Sequence, residues 1–531
     1  MIFCQKKLFT NWGIYVQALR ETKTRLKDRV LSRSSDQLEL HGIRDRSQHQ
    51  MKKSLNWFDL VLVQFDLVWF GIGAVMVAGI FVLTGEATKN LAGPAVLLSY
   101  VISGTAALLS VLFYSEFSVE IPLAGGSFAY LRVELGDFVA FIAAGNILFE
   151  YVVSGAGVAR SWTSYFATLC NHKPNDFRIN VSSLAEGYNH LDPIAVVILL
   201  VICAGASLST KGSSQFNSIM TIIHLVVMVF ILVVGLTQAN LGNYSNFATY
   251  GARGVLKAAA MLFFAYVGFD GIATLGKEIK NPGMNWAKYI VAIGALIGMT
   301  TVLLASIISQ ARYFTHIART HMAPPFLAAV NEKTGTPVTA TVVMVIANCT
   351  MAFFTSLDIL ANLVSIATLF VFSLVPLALL VRRYYMSGET PDRDRDKLIL
   401  FLVLITLSSS IGSGVFWAIS ENTWIGCIIK ARVWFIATLG LNLTLKEARK
   451  PKVWGLPLMP WLPSASIAIN VFIMCSIDGA SFVRFSVWTA VLLVYYLLIG
   501  LHATYDAAKD VENKGTNTTD IDVIAARTNA F

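Results

Sequence analysis

Long apolar runs, separated by short polar connectors, dominate the chain from residue 64 onward. A helix needs about 20 apolar residues to cross the hydrocarbon core of a bilayer. Runs of about this length predict thirteen spans, at 64–83, 94–114, 138–168, 191–209, 216–236, 255–275, 289–309, 338–356, 359–381, 398–419, 424–445, 462–480 and 484–502. The pattern predicts an all-α polytopic membrane protein, in which run 424–445 is the least regular because it contains Lys430 and Arg432.

Glycine, proline and charged residues mark the ends of these runs. The longer connectors that they form are 276–288, 310–336, 382–397 and 446–460. The first residues, 1–57, and the last, 506–531, lie outside the apolar runs and predict two polar tails.

Composition excludes a soluble enzyme. Of the 531 residues, 55% are hydrophobic and 14% are charged, whereas soluble domains carry about 25% charged residues. The chain contains no P-loop, HExxH or GxSxG motif, so neither nucleotide hydrolysis nor zinc or serine chemistry is supported. Its six cysteines are scattered and form no CxxC pair. We expect no catalytic residue, no metal and no cofactor.

The net charge of +9 is concentrated in the N-terminal tail. Residues 1–55 contain twelve Lys and Arg against five Asp and Glu, which leaves +7 in this segment. A basic tail beside a membrane helix is typical of the cytosolic side. We therefore expect a lipid bilayer, and not nucleic acid, as the partner of this charge, and the first span as the targeting signal.

Basic residues in short loops predict the orientation of the spans, with one conflict. Loops 115–137, 210–215 and 276–288 are expected in the cytosol, whereas 171–190 and 238–252 are expected on the far side. The run 289–309, however, has basic loops on both sides. One crossing cannot leave both of its ends in the cytosol, so either a helix is missing, or the run is re-entrant, or one basic loop is exported.

Two spans contain features of broken helices. The first span has small residues around Ala78 and Gly79, and the sixth has Gly268 and Gly271 among aromatic residues. Close packing of helices through small residues accounts for such patterns. Alternatively, unwound backbone in the middle of the membrane exposes N–H and C=O groups that bind the charged ends of a ligand. Both interpretations stay open from the pattern alone.

Two of the ionisable residues inside apolar spans are candidates for a function. Glu150 lies near the middle of 138–168, where a charged side chain costs about 2.5 to 3.5 kcal/mol to insert. It is either a protonated carboxyl that bonds to a neighbouring helix or a receptor for a cation or proton. His224, in 216–236, is either an interhelical hydrogen-bonding group or a proton carrier. For Arg253 and Lys257, near the end of their span, snorkelling to the interface is expected.

Several motifs occur in a fixed order. They are GIFVLTG at 79–85, YSEF at 114–117, IPLAGGSFAY at 121–130, FAYVGFD at 264–270, KNP at 280–282, PP at 324–325, KTGTP at 333–337 and WLPSAS at 461–466. Together they resemble the plant-type cationic amino acid transporters of the amino acid–polyamine–organocation (APC) superfamily, over residues 55 to 510.

The resemblance implies a LeuT-like fold of two inverted five-helix repeats with extra C-terminal helices. The implied domains are a basic cytosolic tail (1–57), a transporter core (58–382), accessory transmembrane helices (383–505) and a polar C-terminal tail (506–531). The implied substrate-binding residues are Ala78, Gly79 and Ile80 in the first helix, Glu150 in the third, and Phe264, Ala265, Tyr266 and Gly268 in the sixth. His224 occupies the fifth-helix position where bacterial relatives place a lysine, and it is the implied proton-coupling residue.

The chain departs from the family pattern in two places. Val77 replaces the first glycine of the break in the first helix. In addition, Pro282 is followed directly by Gly283 and a segment that resembles the approach to the eighth helix, so that about fifty residues containing the seventh helix are absent on that alignment. This absence would explain the charge conflict around 289–309.

The function implied is secondary transport of arginine, lysine and ornithine by alternating access, driven by membrane potential or a proton gradient. The partners are then an amino acid substrate and the bilayer, and the plasma membrane is favoured over the vacuolar membrane. The alternatives are a non-transporting binding or regulatory protein, a truncated product, or a carrier of neutral amino acids or polyamines. The oligomeric state is left open.

Overall fold

A computed structural model describes most of the chain. It covers residues 12–31, 84–85, 87–121, 126–208, 246–267, 285–331, 336–386, 388–418, 425–451, 454–506 and 509, together with 222–223, 226–227, 229–237 and 242. The predicted site residues Ala78, Gly79, Ile80, His224 and Gly268 lie outside the described residues, as does the 282/283 junction. The side chains of Phe264, Ala265 and Tyr266 do so as well, although their backbone belongs to a helix.

Helices form almost all of the described structure, and one short β-hairpin accompanies them. The helices are α1 (Trp12–Arg20), α2 (Thr22–Leu31), α3 (Val96–Glu120), α4 (Ser127–Leu135), α5 (Asp137–Leu169), α6 (Pro193–Leu208), α7 (Gly251–Val267), α8 (Asn285–Arg319), α9 (Val338–Phe354), α10 (Leu357–Tyr384), α11 (Asp392–Ala418), α12 (Ile425–Thr444), α13 (Trp461–Met474) and α14 (Gly479–Tyr495). The hairpin strands are β1 (Ile179–Asn180) and β2 (His190–Leu191), which are antiparallel.

Six of the described helical segments are long and apolar enough to cross a membrane, namely Thr88–Glu120, Asp137–Leu169, Leu296–Arg319, Leu357–Tyr384, Asp392–Gly414 and Gly479–Asp506. Shorter apolar helices lie at Pro193–Ala206, Val338–Phe354 and Trp461–Met474. The run 424–445 is also helical, as α12, despite Lys430 and Arg432. The protein is therefore a polytopic helical membrane protein, while the total of thirteen spans stays a prediction.

One predicted boundary is wrong. The helix predicted at 289–309 is part of α8, which extends without interruption to Arg319, so the connector predicted to begin at 310 starts ten residues later. The helix continues through polar residues because these pack inside the bundle, where Phe128 on α4 lies edge-to-face against the His316 ring at 6.0 Å. At 35 residues, α8 is about 52 Å long, and a continuous helix of that length excludes the re-entrant alternative.

The two ends of the bundle are distinguished by what lies there. The N-terminal helices meet the end of the last helix, where Arg25 on α2 forms a 2.8 Å ion pair with Asp506. The beginning of α5 lies at the same end, since Phe138 contacts the Tyr496 ring at 5.3 Å. We call this the tail-side end. The β-hairpin follows the other end of α5, which we call the hairpin-side end.

Contacts between helices fix their directions. Ser99 and Ser103 on α3 donate hydrogen bonds to the carbonyls of Val255 (2.8 Å) and Ala259 (2.6 Å) on α7, so these two helices are parallel. Phe117, near the end of α3, belongs to the same apolar core as Phe141 near the beginning of α5, so both helices run toward the tail-side end.

The helix α8 is antiparallel to α5, because Trp162 bonds to Thr300 at 3.2 Å while Tyr151 lies against Tyr313. Since α5 starts at the tail-side end, α8 also runs toward that end. The consecutive described helices α7 and α8 therefore run in the same direction.

The helix α5 is the centre of the fold. Its first half joins an apolar core with α3, α4, α8 and the end of α14, and its second half joins another core with α6, α8, α9 and α10. A side chain in the middle of α5 is thus surrounded by other helices rather than by lipid.

Candidate functional site

Glu150 lies at the junction of these two cores. It is thirteen residues from the first residue of α5, Asp137, and so about 20 Å along this 33-residue helix. Its side chain is only partly buried. The carboxyl group therefore keeps some accessible surface at a depth where helices surround it.

Hydroxyl groups from neighbouring helices surround the Glu150 carboxyl group. Thr368 on α10 lies beside it, and the hydroxyl group of Thr368 donates a 3.0 Å hydrogen bond to the carbonyl of Val364 in its own helix. The phenol groups of Tyr114 on α3, Tyr313 on α8 and the adjacent Tyr151 interact with it electrostatically. Thr368 is the neighbouring polar group on another helix that the structural interpretation requires, while the accessible surface leaves the carboxyl group able to meet a ligand.

Aromatic contacts extend this cluster to α7. The Tyr114 hydroxyl is 2.8 Å from Ser127 Oγ, and the Tyr114 ring is 6.1 Å from that of Phe372. Phe372 in turn contacts the Phe263 ring at 5.7 Å. Phe263 immediately precedes the predicted site residues Phe264, Ala265 and Tyr266, so the structure brings this part of α7 to the same region as Glu150.

A second set of charged side chains lies at the tail-side end, and the sequence analysis did not identify it. Glu116 on α3 is 1% exposed and accepts two hydrogen bonds from Arg383, at 2.8 and 3.1 Å, and one from the backbone N–H of Leu456 at 2.7 Å. The neighbouring Arg382 pairs with Glu120 (3.1 Å) and Glu134 (2.6 Å). These residues form what we call the tail-side network.

A third charged set lies at the hairpin-side end. Asp192 is fully buried and accepts hydrogen bonds from Thr163 (2.9 Å), Arg178 (3.2 Å) and the backbone of Ala195 (3.0 Å). Arg160 on α5 is 2% exposed and lies 3.9 Å from the same carboxylate. We call these residues the hairpin-side cluster. Glu116 and Arg160 were detectable from the sequence as ionisable residues at positions that the apolar pattern places in or next to predicted spans.

Two cations in or next to apolar runs contact other helices, and one of them, Arg253, was predicted to snorkel. Arg253 donates to the Phe416 carbonyl on α11 and lies over the Phe416 and Trp417 rings. Lys430, the irregularity in α12, donates to the Ala468 carbonyl at 2.9 Å and lies over the Phe472 ring. Both cations are accommodated by carbonyl and aromatic groups within the bundle.

Metal ligation finds no support in the described parts of the chain, where no group of three His, Cys, Asp or Glu residues could hold an ion. The described cysteines, which include Cys203 and Cys349, are free thiols.

Comparison with known proteins gives matches along most of the chain. The profile of the family described as "Amino acid permease" matches residues 62–284 and 280–441, and that described as "C-terminus of AA_permease" matches 454–504.

Three curated relatives come from Arabidopsis thaliana. "Cationic amino acid transporter 1" is 55% identical and covers 96% of this chain and 92% of its own. "Cationic amino acid transporter 5" is 47% identical, with 95% and 96% covered. "Cationic amino acid transporter 8, vacuolar" is 46% identical, with 94% and 91% covered.

The alignment with the first of these relatives is longer than the chain itself. It extends over 555 residues, whereas this chain has 531. Since 96% of 531 residues is about 510, about 45 aligned positions have no residue of this chain opposite them. The two matches to the amino acid permease profile meet at residues 280–284.

Proposed function

Because the chain belongs to the plant cationic amino acid transporter family of the APC superfamily, we propose that it carries arginine, lysine and ornithine across a membrane by alternating access. The family is one of transporters and not of enzymes. Glu150 carries the proposal, because it presents a partly accessible carboxyl group in the middle of the bundle. A carboxylate there is complementary to the guanidinium or ammonium group at the end of a cationic side chain.

The remaining predicted site residues form the part of the proposal that concerns the amino acid backbone of the substrate. The first helix, around Ala78, Gly79 and Ile80, and the sixth, around Phe264 to Tyr266 and Gly268, hold the α-amino and α-carboxylate groups through exposed backbone groups. The path of contacts from Phe263 to Tyr114 supports this, since it brings α7 to the Glu150 region. His224 couples transport to protons, and the fold is LeuT-like.

Uptake of radiolabelled arginine in a transport-deficient host tests the role of Glu150. Glu150→Gln keeps the size of the side chain and removes its charge, and we expect uptake to fall to background. The matched control is Glu186→Gln, which neutralises an exposed carboxylate between β1 and β2, and which is expected to leave uptake unchanged. Competition by leucine or putrescine, rather than by lysine, would favour the neutral amino acid or polyamine alternative.

We also infer that this chain lacks one membrane crossing between α7 and α8. Two consecutive helices that run in the same direction require a returning crossing between them, and only 17 residues, 268–284, connect Val267 to Asn285. The alignment with about 45 unmatched positions supports a deletion, and the junction of the profile matches at 280–284 supports its place. The missing segment corresponds to the family's seventh helix.

This deletion favours a second candidate function, a non-transporting protein that still binds cationic amino acids. Inverted-repeat transporters rely on the symmetry of their repeats for alternating access, and one repeat is incomplete here. We would insert the corresponding segment of the relative that is 55% identical between Pro282 and Gly283. Transport by the native chain would contradict this second candidate, and transport only after insertion would support it.

We propose the plasma membrane as the location. The two relatives of 55% and 47% identity have names without an organelle, whereas the relative named vacuolar is 46% identical. A fluorescent fusion in plant cells would test this, because accumulation at the vacuolar membrane would contradict it.

A further inference from the structure

Buried polar atoms without a protein partner extend along one side of α8. Ser306 Oγ, Gln310 Nε2 and the Tyr313 hydroxyl are each buried and form no hydrogen bond among the described residues. Their spacing of four and three residues places them on one face of the helix. A buried polar group without a partner costs about 1 to 3 kcal/mol, so such a row requires partners that protein atoms do not supply.

An amide pair lies beside this row. Asn348 on α9 donates a 3.2 Å hydrogen bond to Gln310 Oε1 and another, of 2.8 Å, to the Met344 carbonyl, but its own Oδ1 accepts none from the described residues. Gly155 on α5 makes room for this amide, since a Cβ there would lie 2.4 Å from Asn348 Oδ1. Gln310 thus keeps an unused donor and Asn348 an unused acceptor at a place where three helices meet.

The helix α5, which packs against α8 and α9 here, also carries buried polar atoms without partners among the described residues. The hydroxyl groups of Ser154 and Ser161 are buried without partners, and they lie four and eleven residues after Glu150, on the same face of α5. From Tyr313 to Ser306 on α8, and from Glu150 to Ser161 on α5, the groups progress toward the hairpin-side end. We call Ser154, Ser161, Ser306, Gln310, Tyr313 and Asn348 the polar column.

Water has the hydrogen-bonding capacity to satisfy all of these groups. Buried waters typically form about three hydrogen bonds with polar atoms that lack other partners, and the column offers donors and acceptors on facing helices. Its deep end reaches Glu150 through Tyr313, whose ring lies 6.1 Å from that of Tyr151 and whose hydroxyl interacts with the Glu150 carboxyl group. Among the described residues, the titratable groups that face Glu150 are Tyr114, Tyr151 and Tyr313.

We propose that the polar column binds a file of water molecules that connects Glu150 with the hairpin-side solution and exchanges its proton. A hydronium ion gives up a proton at the outer end, each water in turn passes one on, and the last O–H bond forms on a Glu150 carboxylate oxygen. The reverse transfer restores the carboxylate. This inference rests on the proposed role of Glu150, and it identifies Gln310 and Asn348 as positioning residues for the waters.

Hydrogen–deuterium exchange of the Glu150 carboxyl group tests the proposal without any need for transport. The full chain in nanodiscs is transferred from H2O to D2O, and the shift of the protonated carboxyl infrared band is followed with time; Glu150→Gln identifies the band by removing it. The double variant Gln310→Met/Asn348→Leu removes both amides at similar size, so that neither is left unpaired. We expect its exchange to be at least about tenfold slower than in the unaltered protein.

The matched control is Thr489→Val on α14, which removes a buried hydroxyl group that also has no partner among the described residues but lies outside the column. It should leave the exchange rate unchanged. The proposal would be overturned if the double variant exchanged at the same rate as the unaltered protein. It would also be overturned if the infrared band of a protonated Glu150 carboxyl group were absent at every pH. Tyr313→Phe provides a second, milder interruption of the column should the double variant not fold.

Arginine uptake at acidic and neutral pH separates this proposal from the proposed function. If both are correct, the double variant loses the stimulation of uptake by acid. If uptake depends on Glu150 but proton exchange is unaltered in the double variant, the water file is overturned and the transport proposal still stands. Slowed exchange in a chain that does not transport would support the file and contradict transport.

Discussion

The buried carboxylates of the two charged sets, at opposite ends of the bundle, differ in the distance along the chain that they join. In the hairpin-side cluster, Asp192 bonds to Thr163, Arg178 and Ala195, all within 29 residues. In the tail-side network, Glu116 bonds to Arg383 and Leu456, which are 267 and 340 residues away. The Asp192 carboxylate therefore shapes one local turn of the chain, although Arg160 beside it also donates to the carbonyl of Thr355, while the Glu116 carboxylate itself joins elements that are distant in sequence.

This difference has consequences for the accessory helices. Arg383 lies in the last turn of α10. Its carbonyl group accepts backbone hydrogen bonds from Ala448 (2.7 Å) and Arg449 (3.2 Å), and its side chain donates hydrogen bonds to Glu116. The connector between α12 and α13 is thereby fastened to α3 and α10. Arg383 thus joins this connector to two helices of the rest of the bundle, whereas in the hairpin-side cluster it is Arg160, and not the carboxylate, that bonds to a distant segment, at the carbonyl of Thr355.

The largest effect is expected from Arg383→Ala. It leaves the Glu116 carboxylate buried and unpaired, which costs about 3 to 5 kcal/mol, and it releases the 446–456 connector. We expect a loss of unfolding free energy of this size, measured by SDS titration in mixed micelles. Arg395→Ala, which removes exposed ion pairs with Asp392 and Asp396, is the control and should cost under about 1 kcal/mol. Equal losses in the two variants would contradict the role given to Arg383.

Replacing both partners sharpens the interpretation of the tail-side network. In Glu116→Leu/Arg383→Leu no charge is left unpaired, and such exchanges are often close to neutral. The Leu456 N–H loses its acceptor, however, so we expect a residual loss of about 1 to 3 kcal/mol, smaller than that of Arg383→Ala. A double variant less stable than the single one would show that the ion pair itself, rather than the unpaired charge, determines stability.

A smaller and more local effect is expected from Asp192→Asn. The amide keeps the shape of the side chain but leaves the Arg160 and Arg178 cations without their carboxylate, at a cost of about 2 kcal/mol. Because the partners of the Asp192 carboxylate are near in sequence, the damage should be confined to residues 160–195 and to the segment around Thr355, to which Arg160 also donates. Hydrogen–deuterium exchange by mass spectrometry should show faster backbone exchange there than in the unaltered protein, and an unchanged rate at 446–456. Faster exchange in that connector would contradict the distinction between the two ends.

The sequence predicted the parts of this structure that depend on the bilayer or on motifs. Helices α9 and α10 lie within three residues of the runs at 338–356 and 359–381, because hydrocarbon demands a minimum length of apolar chain. The family resemblance is confirmed by the comparisons. The end of α8 was not predicted, because its last polar turns are stabilised by packing rather than by apolar periodicity.

The candidate site was likewise predictable from the sequence only in part. Glu150 was recognisable because a carboxyl group in an apolar run is costly wherever the run packs. Its partners Thr368 and Tyr313, and the pairs Glu116–Arg383 and Gln310–Asn348, come from different helices. No spacing rule connects residues that are 38 or 267 positions apart, so these contacts required the tertiary structure.

The smallest effect is expected where the N-terminal helices meet the last one. Arg25 pairs with Asp506 at 2.8 Å and lies over the Tyr505 ring at 4.8 Å, but the Asp506 side chain is 30% exposed, so solvent weakens the pair. Arg25→Ala should therefore lower the unfolding free energy by only about 0.5 to 1 kcal/mol. This contact joins residues 481 positions apart, as the tail-side network joins distant segments, yet it is near the surface. We expect faster trypsin cleavage after Lys23 and Lys27, with no larger loss than this in the unfolding free energy of the bundle. A loss comparable to that of Arg383→Ala would show that distance along the chain, and not burial, decides what such a pair contributes.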